Sequence, residues 1–334
     1  MEKKINYIIG IGRSGSTLLS TLLNAHSAIK AIPEIPITIF FSSRYQHLKK
    51  REPKLEQQTK IYLNLIQKIR PLDLVNLHAE NVFNDKVDYK DYQSFIQCVF
   101  AQFTIAGKTG PSEQYIDKNP FYSFHYQRLK KINTTSKFIL LVRDYRANVL
   151  SRNKKVLNKP GNIVYNAFRW RFFFQALSKI KNNSDCLVVR YEDLVANEIS
   201  EMMKICHFLE VAYEPDMFNK RMVNNLSDQV EMKKTKKFVE QHFIGLSQPI
   251  HTHKINEWRK DLTQKEINQC DCICGKYGKD YNYAPASYKN LSYFILVIKN
   301  FHWYIRALYD IYKEQFIYHL PIKMKLLRLG KKII

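Results

Sequence analysis

The chain has 334 residues, 45% of them apolar, and carries 53 Lys and Arg against 30 Asp and Glu, a formal net charge of +23. That length suits one large α/β domain with insertions or two modest domains, and the composition excludes a disordered or collagen-like chain. The positive surplus implies anionic partners; composition alone does not separate a nucleotide, an acidic glycan, a nucleic acid and a membrane surface.

After Met-Glu-Lys-Lys the sequence enters an apolar run, Ile5–Gly10. That run is too short for a signal-peptide core, and no stretch approaches the roughly 18 apolar residues of a bilayer span. A cytoplasmic protein is expected, with peripheral contact at the inner membrane face left open. The runs Ile5–Gly10, Tyr115–Ile116, Phe138–Val142 and Cys186–Arg190 read as short buried strands. Helical patterns fall at Ser14–Asn24, Pro36–Lys50, Lys54–Arg70, Tyr92–Ala106, Phe121–Lys131, Tyr145–Asn153, Val164–Lys181 and Asn197–Leu209. This alternation predicts a parallel sheet with helices on both faces and ligands at the carboxyl ends of its strands.

No repeat or low-complexity linker interrupts the chain, so residues 1–285 are expected to form one domain, with a helical insert at 36–110. Residues 286–334 read as a basic, aromatic, helical extension. From Tyr288 onward they hold nine Lys and Arg, two acids (Asp310 and Glu314) and ten Phe, Trp and Tyr. Such helices either pack an aromatic stripe on the core or lie on an anionic membrane face. The six cysteines form no C-x-x-C pair, and on a predicted helix Gln264–Tyr277 Cys272 points away from Cys270 and Cys274. Packed thiols are expected, and no metal.

The strongest local signal is Gly10-Ile-Gly-Arg-Ser-Gly-Ser-Thr17, set between a strand and a helix with Leu18, Leu19, Leu22 and Leu23 on one face. Glycines let backbone N–H groups approach an anion, and the helix start adds unpaired donors and a positive dipole end. The spacing fits G-x-x-x-x-G-K-[ST] except that Ser16 stands where lysine would contact a triphosphate. Arg13 supplies a charge earlier in the loop.

This loop, with its continuation to His26 and Glu34, resembles the 5′-phosphosulfate segment of the sulfotransferase superfamily, in the branch of the protein-tyrosine sulfotransferases and their bacterial relatives. Three further segments resemble that family's motifs. Arg143-Asp-Tyr-Arg-Ala-Asn-Val-Leu-Ser151 follows a strand and is similar to its 3′-phosphate motif. Arg190-Tyr-Glu-Asp-Leu194 resembles its R-Y-E-D-L segment, and Asp117-Lys118-Asn-Pro120 its lysine segment facing the transferred group.

The resemblance implies a P-loop NTPase-like three-layer α/β fold and 3′-phosphoadenosine-5′-phosphosulfate as donor; nothing in the sequence calls for a metal. It places Arg13, Ser14, Gly15, Ser16 and Thr17 on the phosphosulfate, Arg143, Ser151 and Lys155 on the 3′-phosphate, and Tyr191 near the nucleotide. It also brings in Ser247, from a loose match to a nucleotide-covering loop. Lys118 would neutralise charge developing on the transferred group, and Glu34 would be the base, with His26 as its competitor. One departure is Glu257 before Trp258, where the relatives carry a basic residue.

Glu192 and Asp193 are expected to cap the helix that follows them. The acceptor is expected to be a hydroxyl of an acidic glycan or glycolipid, with a tyrosine side chain next. A nucleotide-dependent phosphotransferase on the same fold, a catalytically dead nucleotide-binding module and a basic nucleic-acid-binding protein are the other readings. The missing loop lysine counts against the first, and no helix-turn-helix, zinc-finger or RNP motif supports the last, so no nucleic acid is expected.

Overall fold

Among the described residues seven strands are seen in chain order: β1 (Lys4–Ile9), β2 (Ile29–Ile32), β3 (Val75–Leu77), β4 (Phe103–Ile105), β5 (Gln114–Lys118), β6 (Phe138–Val142) and β7 (Cys186–Arg190). They belong to a computed structural model that describes residues 3–32, 34–43, 45, 50–69, 75–77, 91–105, 112–154, 161–218, 253–285 and 292–330. Five form a central sheet in the order β2-β5-β1-β6-β7, every pair parallel. β1 is therefore central, with β5 and β6 beside it.

Side-chain alternation splits these strands between two cores. Ile5, Tyr7 and Ile9 of β1, with Phe138, Leu140 and Val142 of β6, enter the larger one. Ile8, Ile139 and Leu141 enter the other, which is closed by Leu19, Leu22 and Leu23 of the helix Ser16–Ala25 and by the helices Tyr191–Ala196 and Glu198–Leu209. Asn6 is buried among them with both its amide nitrogen and its amide oxygen hydrogen-bonded. It donates to Gln114 Oε1 at 2.8 Å and accepts from the Lys137 N–H at 2.9 Å.

Two helical patterns depart from what the periodicity predicts. The first, expected over residues 36–50, opens as a short helix over Ile37–Phe40, breaks into a turn at residues 41–43 and is helical again at Tyr45; residues 44 and 46–49 lie outside the described residues. Ile37 to Phe41 are all buried, so packing on every side replaces the amphipathic rule there. The second stops at Ala101, and Phe103–Ile105 instead pairs antiparallel with Val75–Leu77. The insert is thus not wholly helical. Its β-branched Thr104 and Ile105 suit a strand.

The helix Gln264–Gly278 opens with a reciprocal capping box between Thr263 and Glu266. Its three cysteines are buried thiols outside any disulfide, and burial pushes the Cys270 and Cys274 thiols up, which makes them poor nucleophiles. Beyond residue 291 come the helices Tyr293–Lys299, Phe301–Ile317 and Ile322–Gly330. The second packs on Ile163–Leu177, where the Tyr304 and Phe168 rings meet edge to face at 5.2 Å and Tyr165 donates to Asp310 at 2.5 Å. Among the described residues no helix is long and apolar enough to cross a membrane.

Candidate functional site

Parallel pairing sets the carboxyl ends of β5, β1, β6 and β7 side by side, and the residues that leave those ends make the site. Gly10 leaves β1 with φ 137°, and a Cβ there would lie 2.4 Å from the Leu141 carbonyl oxygen. Only glycine lets the chain turn that close to β6. Ser123 accepts from the Gly10 N–H at 2.9 Å, while Asn148 donates to the Gly12 carbonyl at 3.1 Å and the Ser14 hydroxyl at 3.2 Å. Arg13 and Gly15 both adopt positive φ, 74° and 95°. The helix then starts at Ser16, without a side-chain cap, so its first N–H groups face the open side of the loop.

On the β6 side, Arg143 donates to the Arg13 carbonyl at 3.2 Å and the Lys254 carbonyl at 2.9 Å. Its guanidinium lies 4.6 Å from the centre of the Tyr191 ring, and that ring covers Gly15. Arg13 in turn donates to Ser151 Oγ at 3.3 Å. Neither guanidinium pairs with a carboxylate among the described residues. Burial, and then the charge of Arg143, depress the Arg13 pKa. Two cations held together without a counter-charge form a site suited to an anion. A third, Arg152, lies within 3.6 Å of the position a Gly12 Cβ would take, and burial followed by Arg169 pushes it down to about 10.

On the β5 side, Lys118 is 8% exposed and its ammonium stands between the two halves of the site. It lies 3.4 Å from Thr17 Oγ1 and 3.4 Å from Glu34 Oε2. Neighbouring Asp117 is fully buried and accepts from Thr38 and Tyr122 hydroxyls, both at 2.6 Å. Burial raises its carboxyl to about 7, with the Glu34 charge adding to the rise. Glu34 also borders a cleft of about 190 Å³ walled by Phe40, Tyr62, Phe121, Tyr318 and Arg328.

Sequence reasoning thus named Arg13, Ser14, Gly15, Ser16, Thr17, Glu34, Lys118, Arg143, Ser151 and Tyr191, and these converge. Lys155 and Ser247 lie outside the described residues. His26 does not converge. It is buried, with Nδ1 accepting from the Ala28 N–H at 3.0 Å and Nε2 facing the Ala212 carbonyl at 2.6 Å, a structural link to the loop after Leu209. The expectation that Glu192 and Asp193 cap the next helix needs correction. They stand in the first turn of a helix of their own, Tyr191–Ala196, and the helix after it, Glu198–Leu209, follows Asn197 without a side-chain capping bond. The Glu192 carboxylate instead accepts from the Asp144 N–H at 3.0 Å and Tyr283 at 2.5 Å, bracing the end of β6. Asp193 pairs with Arg190. Missed were Asn148 and Arg152, five and nine residues after Arg143 and about one turn apart on the helix Tyr145–Lys154; their shared face on that helix was the available signal.

The sequence profile described as "Sulfotransferase family" matches residues 7–215. The chain belongs to the sulfotransferase family. Among curated relatives, it is 21% identical over 296 residues to protein-tyrosine sulfotransferase A of Caenorhabditis elegans, covering 84% of this chain and 69% of that protein. Protein-tyrosine sulfotransferase 2 of Gallus gallus is 24% identical over 271 residues, covering 77% and 63%. The solved sulfotransferase domain from the curacin biosynthetic pathway is 19% identical with a TM-score of 0.50, covering 85% of this chain and 98% of that one. That likeness agrees in fold with the P-loop-like α/β sheet described above. The profile spans the whole anion cluster and stops short of the three C-terminal helices of this sulfotransferase.

Proposed function

We propose that the chain transfers the sulfuryl group of 3′-phosphoadenosine-5′-phosphosulfate, in line, to an acceptor hydroxyl. The observation that carries this is the pair Arg13 and Arg143, without a carboxylate partner among the described residues, Arg13 donating to Ser151 and Arg143 to the Arg13 carbonyl, beside a glycine loop that lacks the triphosphate lysine. A donor with two separate phosphate groups needs such a second anion site; ATP does not. The residues fit it: loop N–H groups with Ser16 and Thr17 hold the phosphosulfate, and Arg143 with Ser151 holds the 3′-phosphate. Tyr191 sits under the nucleotide side of Arg143.

Glu34 accepts the acceptor's proton as the new O–S bond forms and the S–O bond to the 5′-phosphate breaks, with its electron pair retained by the leaving phosphate. Lys118, already between Thr17 and Glu34, neutralises charge growing on the oxygens in transit. Residues 1–285 form the transferase unit in this reading, and 286–334 an extension that adds to the acceptor side. The acceptor is a glycan or glycolipid hydroxyl, consistent with the chain's basic character. The names of the curated relatives support a second reading, a peptide tyrosine.

Calorimetry with adenosine 3′,5′-bisphosphate and with ATP tests the donor assignment. Binding of the bisphosphate without magnesium is expected. ATP binding with no response to the bisphosphate would sink the reading in favour of a phosphotransferase.

A further inference from the structure

Among the described residues thirteen large apolar side chains are exposed, and ten of them lie between Phe294 and Leu327. On the helix Phe301–Ile317 they are Phe301, Ile305, Tyr309, Tyr312 and Phe316, each between 45% and 65% exposed. At 100° per residue these five fall within an arc of about 80°. The arc is not the face that holds the helix to the body. That role falls to Tyr304, Ala307 and Ile311, roughly 120° away. The helix is therefore apolar on two faces, and only one is covered. An exposed row of this size marks an interaction surface.

Charge decides what covers it. Lys313 flanks the row, its ammonium 5.2 Å from the Tyr309 ring centre, and Arg306 lies on the same flank, bonded to Asp310. On the helix Ile322–Gly330, exposed Met324 and Leu327 lie between Lys323 and Arg328. Lys299 follows the exposed Phe294, Ile295 and Ile298. A twofold-related second copy would set these cations against themselves. An anionic lipid surface complements them, with long basic side chains reaching headgroups beside a shallow apolar face.

We propose that the three C-terminal helices seat the protein on an anionic membrane surface. The last two of these helices also wall the cleft that Glu34 borders, through Ile317, Tyr318 and Arg328. An amphiphilic acceptor held in that surface would then present its hydroxyl beside the base. This last step rests on the proposed sulfuryl transfer; the membrane seat does not.

The test is flotation of the full-length protein with vesicles of phosphatidylcholine alone and with one third phosphatidylglycerol. Binding to the anionic vesicles, weakened by salt, is expected, with none to the neutral ones. Lys313→Gln with Lys323→Gln should weaken it about 25-fold, at about fivefold per cation. Phe301→Ser, Ile305→Ser and Tyr309→Ser together should weaken it at least about tenfold. Unchanged binding of adenosine 3′,5′-bisphosphate would show that these variants are folded. No affinity for anionic vesicles at low salt would overturn the proposal. So would binding unaffected by the serine variant, or a dimer that the serine variant splits while no vesicle binds. Vesicle binding without bisphosphate binding would retire the sulfuryl-transfer reading and leave the membrane seat standing.

Discussion

Substituting Gly15 by alanine introduces one methyl group at the point where loop and nucleotide side meet. The new Cβ would lie 2.5 Å and 2.8 Å from two carbons of the Tyr191 ring, at a backbone φ of 95°. Carbon atoms rest at about 3.5–4.0 Å, so the ring or the loop must move by about 1 Å. Left-handed backbone costs an L-residue about 1–2 kcal/mol. Lifting Tyr191 from the Arg143 guanidinium, now at 4.6 Å, removes about another 1 kcal/mol.

If the loop holds, the folded state absorbs about 2–3 kcal/mol, and at this chain length Tm falls by about 1.4 °C per kcal/mol, so about 3–4 °C in all. If it relaxes instead, the donor site opens and bisphosphate affinity drops about 30-fold or more. Scanning calorimetry and titration calorimetry read the two outcomes. In a Tyr191→Ala background the methyl meets no ring, and only the backbone cost should remain. Wild-type values in both assays, or a penalty equal in both backgrounds, would refute the steric account.

Replacing Arg143 by alanine should weaken bisphosphate binding by roughly ten- to a hundredfold in titration calorimetry, from the loss of charge-assisted bonds; an unchanged affinity would remove it from the 3′-phosphate site. Glu34→Gln should leave that affinity intact and lower turnover about 10²–10⁴-fold in a radiolabelled sulfate assay, and normal turnover would eliminate it as the base. Asp117 carries a carboxyl raised to about 7 from a usual value near 4, so between those values the folded state holds a proton that the unfolded state has released. Stability therefore falls as pH rises from about 4 to about 7, by up to about 4 kcal/mol from this group. Urea unfolding of Asp117→Asn at pH 4.5 and 7.5 should lack that share of the decline; an identical decline in both proteins would show that Asp117 titrates normally.

Much of the donor side was legible because it obeys local rules. Phe138–Val142 and Cys186–Arg190 were bounded correctly as uninterrupted apolar runs, and a glycine loop between a strand and an amphipathic helix has few other uses. What escaped was set by distant contacts. β2 has only four residues, one of them Lys30, and becomes a strand because β5 offers it an edge. The helix expected over residues 36–50 is interrupted after Phe40, where Ile37 to Phe41 are buried whichever face they occupy. Glu192 looked like a helix cap from its neighbours in sequence, yet its partners Asp144 and Tyr283 are 48 and 91 residues away. Asp117 stood in the sequence only as the residue before Lys118, with no role of its own; its depth and its two hydroxyl donors appear only once Thr38 and Tyr122 close over it.

Arg13, Lys118, Arg143 and Tyr191 leave four different strands, and the sheet order of those strands is not their order along the chain. β5 must slot between β2 and β1, after more than a hundred residues of intervening sequence, before Lys118 can stand by Thr17. The cluster is complete only once the whole sheet has assembled, so its opening is coupled to the opening of that sheet. Occupancy by a donor analogue should then slow hydrogen exchange throughout β1, β5 and β6 together rather than around the loop alone.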